Sequence, residues 1–287
     1  MKTIGFIGVG IMGKSMVRNL MKAGFEVRIY ARNKEKVKDV IAEGAKFFET
    51  LRECVKGCDA VITIVGYPAD VEAVYFGEGK IIDSAEKGAY LIDMTTTSPQ
   101  LDMRISETAS PLGFHVLDAP VTGGDRGAKA GTLSILVGGE REDCEACMDI
   151  FRAMGSNITY YGPSGAGQHA KLANQIMQAS IMSGVCEALA YVREQGLDPE
   201  VFMKGAAAGA GQNALLESYG ERICKDDLEP GFFVEFFIKD MKLAYDSAKL
   251  GGLELDVLGR VIENYQQLSD EGLGRAGMQA LIKHYEK

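Results

Sequence analysis

The sequence predicts an α/β protein. An N-terminal Rossmann-type, doubly wound sheet leads into a long interdomain helix and an all-helical C-terminal domain. Three observations predict this. Short β-rich runs alternate with helical stretches through residues 1–162. A GxGxxG turn, Gly8 to Gly13, separates the first such run from the first helix. After Gly162 the strand-like runs stop and only helical periodicity continues.

The first β-rich run is 2–9 (KTIGFIGV), and 26–30, 60–65, 90–94, 114–117, 132–137 and 157–161 repeat the pattern. Continuous apolar runs separated by helices are the mark of a parallel sheet covered on both faces. Stretches 11–23, 34–43 and 99–110 supply helices for those faces. Residues 165–194 hold apolar positions at helical spacing without a proline and read as one helix. Asp198-Pro199 then offers an N-cap followed by a first-position proline. Runs 215–224, 234–250, 256–268 and 276–285 read as further helices. The domain boundary is expected at 162/163, with 163–194 linking the halves, and a cleft between domains is where ligands usually sit.

A chain of 287 residues suits about two domains at ~150 residues each. It can bury its cores without disulfides or metals. Forty acidic residues against 31 basic ones give a formal net charge of −9. Unspecific nucleic-acid and anionic-membrane binders carry a basic field, so neither partner is expected. A local basic pocket for a small anion stays open. No apolar stretch approaches the ~20 residues of a membrane span, and no secretory leader is visible. Six cysteines do not make a disulfide framework. Cys144 and Cys147 form a CxxC amid Glu142, Asp143 and Glu145, where carboxylates disfavour a thiolate. No second CxxC or His pair completes a zinc site. The expectation is free thiols on a helix, no metal, and a cytoplasmic protein.

The glycine turn carries the first piece of chemistry. Gly8 permits the tight turn, Gly10 lets a pyrophosphate approach the backbone, and Gly13 lets helix and strand pack closely. The helix N-terminus then offers unpaired N–H groups and a positive dipole end. Gly8, Val9, Gly10, Ile11, Met12 and Gly13 are the candidate cofactor loop. A site that prefers NAD usually has Asp or Glu at the tip of the second strand. This chain reads Ile29-Tyr30-Ala31-Arg32-Asn33-Lys34-Glu35-Lys36, with no acid at the tip. Arg32 can stack on adenine and pair with a 2′-phosphate, while Arg28, Lys34 and Lys36 add positive charge. Arg32, Asn33 and Lys36 are therefore candidate contacts, and the expected cofactor is NADP, with NAD as the alternative.

Two later stretches carry the rest. Glycines beside a hydroxyl after a strand, as in Asp118-Ala119-Pro120-Val121-Thr122-Gly123-Gly124, can form a nest of N–H donors for a carboxylate, or simply a turn. On the long helix Lys171, Asn174, Gln175 and Gln178 share one face by their spacing. A polar stripe on an otherwise apolar helix reads as a wet cleft wall. A lysine partly buried there can donate a proton, although the spacing taken alone favours an ordinary exposed lysine.

With these residues in view, the chain resembles the β-hydroxyacid dehydrogenase family, which includes 3-hydroxyisobutyrate dehydrogenase, tartronate semialdehyde reductase and the glyoxylate/succinic semialdehyde reductases. The resemblance rests on GFIGVGIMG (5–13), IDMTT (92–96), DAPVTGG (118–124), GAGQHAKLAN (165–174) and FFIKDMKLA (236–244), in family order over nearly the whole chain. It implies the same two-domain architecture and reversible hydride transfer between a nicotinamide and a small anionic semialdehyde or hydroxyacid. It implies Lys171 as the catalytic acid/base and Thr122, Gly123 and Gly124 as the substrate-carboxylate loop. Asn174, Gln175, Phe232 and Asp240 are implied near the substrate. Val65, Gly66, Thr96 and Lys239 are implied at the cofactor.

This chain also departs from the family pattern. Asn174-Gln175 stands where two asparagines are common, so the second side chain is one methylene longer. Thr122 replaces a usual serine, Ala31 a common asparagine, and Gly66 a frequent proline or serine. Gln212 and Asn213 fall in a loop that tends to reach the substrate in the family. Two other readings are an imine reductase of related fold and a non-catalytic nucleotide-binding homologue. Both classes tend to lose the lysine that this chain keeps. Phe232, Phe233, Phe236 and Phe237 lie close together, as in a core or a subunit interface. A homodimer or homotetramer is expected.

Overall fold

The structure, a computed structural model, describes residues 1–286. It divides into two compact units, the first Met1–Lys171 and the second beginning at Leu172.

The first unit is built on a nine-stranded sheet. Its strands are β1 Thr3–Ile7, β2 Glu26–Tyr30, β3 Lys46–Phe47, β4 Ala60–Thr63, β5 Tyr90–Asp93, β6 His115–Asp118, β7 Val121–Thr122, β8 Leu133–Gly139 and β9 Gly155–Gly162. The order β3-β2-β1-β4-β5-β6 is parallel throughout. Because side chains alternate, both faces of these short apolar strands are used. Ile4, Phe6, Ile62 and Ile92 join one core, and Ile7, Val61 and Leu91 join the other. The direction of winding reverses between β1 and β4, and the β1 C-terminus opens there into the glycine turn. Open α/β sheets bind ligands at such a point.

The expectation of a wholly parallel sheet is corrected beyond β6. β8 runs antiparallel to β6 and β7, pairing Leu117 with Gly139, Asp118 with Gly138, Val121 with Ile135 and Thr122 with Ser134. β6 and β7 thus form one partner of β8, interrupted at Ala119-Pro120. The Ala119 N–H turns to the Asp93 carbonyl at 2.7 Å, and the Pro120 carbonyl accepts from Leu136 N–H at 3.0 Å. Apolar runs state burial but not direction. The two-residue strands β3 and β7 were too short to register in the sequence pattern.

Helix Ile11–Lys22 follows the glycine turn, and helix Pro99–Ala109 begins at Ser98, whose hydroxyl accepts from Leu101 N–H at 3.2 Å. The helix expected at 34–43 is instead a 3₁₀ turn, Lys34–Val37, and a short α-helix, Lys38–Ala42, broken at Val37 (φ −120°, ψ 11°).

The long helix, Ala166–Glu194, is continuous. In the second unit its Ala179, Met182, Cys186 and Leu189 pack with Phe237, Met241, Leu258 and Tyr265. Helices Pro199–Ala207, Ala214–Cys224, Val234–Leu250 and Asp256–Leu268 follow the sequence expectation. Asp198 caps the first of these by accepting from Glu200 N–H at 2.8 Å. The segment expected as a helix over 276–285 divides into a 3₁₀ turn, Met278–Leu281, and helix Ile282–Tyr285. Phe237 is fully buried, with Phe232 edge-on to it at 5.6 Å.

Candidate active site

The cofactor loop has the geometry its glycines imply. Gly8 has φ +98°, and a Cβ there would lie 2.0 Å from the Ile64 carbonyl oxygen. A Cβ on Gly13 would lie 2.1 Å from the Gly8 carbonyl oxygen, so strand and helix meet backbone to backbone. Nothing lies within 4 Å of a Cβ built on Gly10, which caps the helix Ile11–Lys22. The first turn of that helix holds no acidic residue. An open Gly10 between two closely packed glycines, at a helix N-terminus without carboxylates, fits a dinucleotide pyrophosphate.

At the tip of β2, Arg32 is 85 % exposed and its guanidinium reaches Asp70 Oδ1 at 3.4 Å. Asn33 turns inward on the chain, accepting from Glu35 N–H at 3.0 Å. Lys36 is exposed. The expected cluster of positive charge is smaller than the sequence implied. Lys34 pairs with Glu49 at 3.0 Å and lies over the Phe47 ring. Arg28 donates to the Lys56 carbonyl at 2.8 Å.

The C-terminal tips of β4 and β5 lead into the other residues expected at the cofactor. Val65 N–H donates to Thr95 Oγ1 at 3.0 Å, which ties the segment bearing Val65 and Gly66 to the segment bearing Thr96. Asp93 Oδ1 accepts from Thr63 Oγ1 at 2.7 Å and from Thr95 N–H at 3.1 Å. Burial pushes the Asp93 carboxyl up, and these donors oppose the shift.

Asp118, at the end of β6, caps the long helix from outside its own element. Its Oδ1 accepts from Gly165 N–H at 2.7 Å and its Oδ2 from Gln168 N–H at 2.9 Å. A carboxylate at a helix N-terminus satisfies orphan donors and complements the dipole. Two glycines make room for it. A Cβ on Gly138 would lie 2.5 Å from Asp118 Oδ1, and one on Gly167 would lie 2.3 Å from the Leu136 carbonyl oxygen. Gln168, fully buried, donates from Nε2 to the Thr95 carbonyl and to Asp102 Oδ2, both at 2.7 Å. Its Oε1 accepts from Thr97 N–H at 3.1 Å. Lys171 follows three residues later and is only 6 % exposed.

Thr122 ends β7 and is half-buried, and Gly123 and Gly124 are exposed with φ +125° and +59°. Two successive positive φ values favour glycine in both places.

The second unit holds its own polar group. Gln175, 1 % exposed, donates from Nε2 to Asp240 Oδ2 at 2.8 Å. Its Oε1 accepts from both Asn174 Nδ2 and Gln178 Nε2 at 3.0 Å. Lys239 Nζ lies 2.9 Å from Asp240 Oδ1. The expected wet wall is thus corrected. Lys171 and Gln175 are buried, and the amides of the stripe bond to one another.

Asp93, Asp102, Asp118 and Gln168 were not assigned from sequence, although Asp93, Asp118 and Gln168 lie inside quoted motifs. The available signal was an acid closing an apolar strand, in YLID and again in HVLD. Cys144 and Cys147 are buried, and burial more than neighbouring acids raises both thiols. Among the described residues no cluster of three or more His, Cys, Asp or Glu could hold a metal ion. No helix there is long and apolar enough to cross a membrane.

A family profile described as the NAD binding domain of 6-phosphogluconate dehydrogenase matches residues 3–162. Another, described as NAD-binding of NADP-dependent 3-hydroxyisobutyrate dehydrogenase, matches residues 165–285. The chain is 47% identical over 286 residues to an uncharacterised oxidoreductase, YkwC, of Bacillus subtilis (strain 168), covering 100% of this chain and 99% of that protein. It is 35% identical over 283 residues to the 2-hydroxy-3-oxopropionate reductase of Escherichia coli (strain K12), covering 99% and 97%. The structure of a Mycobacterium tuberculosis 3-hydroxyisobutyrate dehydrogenase with L-serine matches with a TM-score of 0.90 at 26% identity, covering 100% of both chains. Fold and matches together define an oxidoreductase with an NAD(P)-binding Rossmann domain. The chain belongs to the β-hydroxyacid dehydrogenase family.

Proposed function

We propose that this protein is an NADP-preferring 3-hydroxyacid dehydrogenase or semialdehyde reductase in which Lys171 is the general acid and base. The observation that carries the reading is a lysine 6 % exposed on the helix whose first turn is locked to the Thr95–Thr97 segment.

Gly8 to Gly13 receive the pyrophosphate, with Val65, Gly66, Thr96 and Lys239 lining the nucleotide. Arg32, Asn33 and Lys36 take the 2′-phosphate end. The bound cofactor supplies or accepts the hydride. Thr122 Oγ1 and the N–H groups of Gly123 and Gly124 hold the substrate carboxylate. That orients the reacting carbonyl and removes the entropy cost of finding the geometry in the transition state. The Lys171 ammonium donates a proton to the carbonyl oxygen as negative charge develops there, and the amine takes it back in the reverse direction. A fixed cation at that oxygen stabilises the transition state more than the ground state. Asn174, Gln175, Phe232 and Asp240 shape the end of the substrate away from the carboxylate. The Gln175 amide is held by Asp240, so its reach is set by that bond. Residues 1–162 form the nucleotide domain and 163–287 the substrate and oligomerisation domain of a cytoplasmic homodimer or homotetramer.

The test is a panel of small semialdehyde carboxylates and β-hydroxyacids, each assayed with NADPH and NADH. Turnover of a carboxylate-bearing substrate, with the lower KM for NADPH, supports the reading. Reduction of cyclic imines in place of any semialdehyde overturns it.

A further inference from the structure

Three carboxyls and one amide meet inside the N-terminal unit, each at most 2 % exposed: Asp93, Asp102, Asp118 and Gln168. Donors and acceptors do not balance if every acid is ionised. Asp93 Oδ1 takes two donors, from Thr63 and Thr95, but Asp93 Oδ2 is buried with no N–H or hydroxyl to accept. The Asp93 carboxyl lies within hydrogen-bonding reach of the carboxyl of Asp102, whose own Oδ2 accepts from Gln168. Two carboxylates in contact in a dry interior cannot both carry charge. One proton between them supplies the missing donor.

We propose that Asp93 and Asp102 share one proton, and that this proton fixes Gln168 as a positioning residue that locks the Thr95–Thr97 segment onto the first turn of the Lys171 helix. The proposal rests on the reading above that Lys171 moves the proton and Thr96 lines the cofactor. The Gln168 amide has one orientation that satisfies its partners, with Nε2 on the Thr95 carbonyl and Asp102, and Oε1 on the Thr97 N–H. Thr96 therefore sits between two anchored residues. Lys171 lies one turn beyond the anchor, and Asp118 holds that same turn through Gly165 and Gln168. Loss of the shared proton would leave two carboxylates repelling each other at the point where Gln168 is held.

The pH behaviour follows from the groups facing the pair. Burial raises Asp102, and the charges of Asp93 and Asp118 raise it further. The other facing groups are the hydroxyls of Thr63, Thr95 and Tyr75, the last pushed up by burial as well. A carboxyl raised in the folded state contributes stability that is complete in acid, below its unfolded pKa. That stability is lost as pH rises towards its folded value. Asp102→Asn replaces the proton with an amide N–H aimed at Asp93 and keeps an acceptor for Gln168. The difference in Tm between this variant and the wild type should therefore grow in the variant's favour as pH rises.

The experiment uses the full chain with Gln168→Met, Asp102→Val and Asp102→Asn. It measures Tm against pH, NADPH affinity by fluorescence, and kcat and KM. Gln168→Met should fold, bind NADPH more weakly and lose roughly 10–100-fold in kcat, the scale of a displacement of about 1 Å at a reacting group. Asp102→Val should share that loss and Asp102→Asn should restore it. A folded Gln168→Met with wild-type kcat and NADPH affinity overturns the positioning role. Parallel Tm curves for Asp102→Asn and wild type overturn the shared proton. Should Gln168→Met not fold, the two Asp102 variants decide. If the wild type turns over nothing in the panel, the reading of the reaction fails, while the melting and NADPH-binding arms still test this network.

Discussion

Arg32 stands at the tip of β2 with 85 % of its side chain in water and only a 3.4 Å approach to Asp70. An exposed pair of that kind contributes ~0–1 kcal/mol. A doubly charged phosphate can displace it with shorter, charge-assisted bonds, each worth about 1.5–3 kcal/mol. Arg32→Leu should therefore raise KM for NADPH by roughly 10–100-fold and leave KM for NADH nearly unchanged. Steady-state kinetics with both cofactors check this, and an equal loss for both would contradict it. Arg32 was legible in sequence as a candidate, because the cue is a local fact, the absence of an acid at the strand tip. Arg28 and Lys34 were not, because the Lys56 carbonyl and Glu49 that occupy them come from other parts of the chain. Gln175 was legible as a departure, but its bond to Asp240, 65 positions away, was not.

Among elements, the glycine turn was the best written. Its spacing gave the strand, the turn and the helix start, and the structure separates the duties of its glycines. Gly10 has φ −86° and open space at its Cβ position, whereas a Cβ on Gly13 would meet the Gly8 carbonyl at 2.1 Å. Gly10→Ala should melt like the wild type yet bind NADPH at least ~10-fold more weakly, since the added methyl stands where the pyrophosphate approaches. Gly13→Ala should lose about 1–3 kcal/mol through overpacking, a fall of several degrees in Tm. Thermal melts and fluorescence titrations of both variants check this, and the reverse pattern would contradict the assignment. The β6–β8 pairing was illegible for a different reason. Apolar runs 114–117 and 132–137 mark buried strands in either direction, and only Pro120 hinted at the interruption. The cap on the long helix was hidden likewise. Helix caps are sought next to the helix in sequence, and Asp118 lies 47 positions before Gly165.

Over the whole molecule, a formal charge of −9 opposes the approach of an anionic substrate. That field is screened over ~8 Å at physiological salt, so recognition falls to nearby donors. The donors assigned to the substrate carboxylate are a hydroxyl and backbone N–H groups at Thr122, Gly123 and Gly124, and the cation assigned to its carbonyl is Lys171. The two-part architecture was legible because β-rich runs end at one place in the chain. What composition and periodicity could not state was the buried acid network, whose members are distant in sequence and meet only in the folded unit. The claim on which the rest depends is that the Lys171 ammonium protonates the substrate oxygen. Single-turnover oxidation of bound NADPH by a semialdehyde carboxylate, compared between the wild type and Lys171→Met, tests it most directly. The rate should fall by ~10² or more while NADPH affinity stays near the wild-type value. A Lys171→Met rate within a few-fold of wild type would contradict the account.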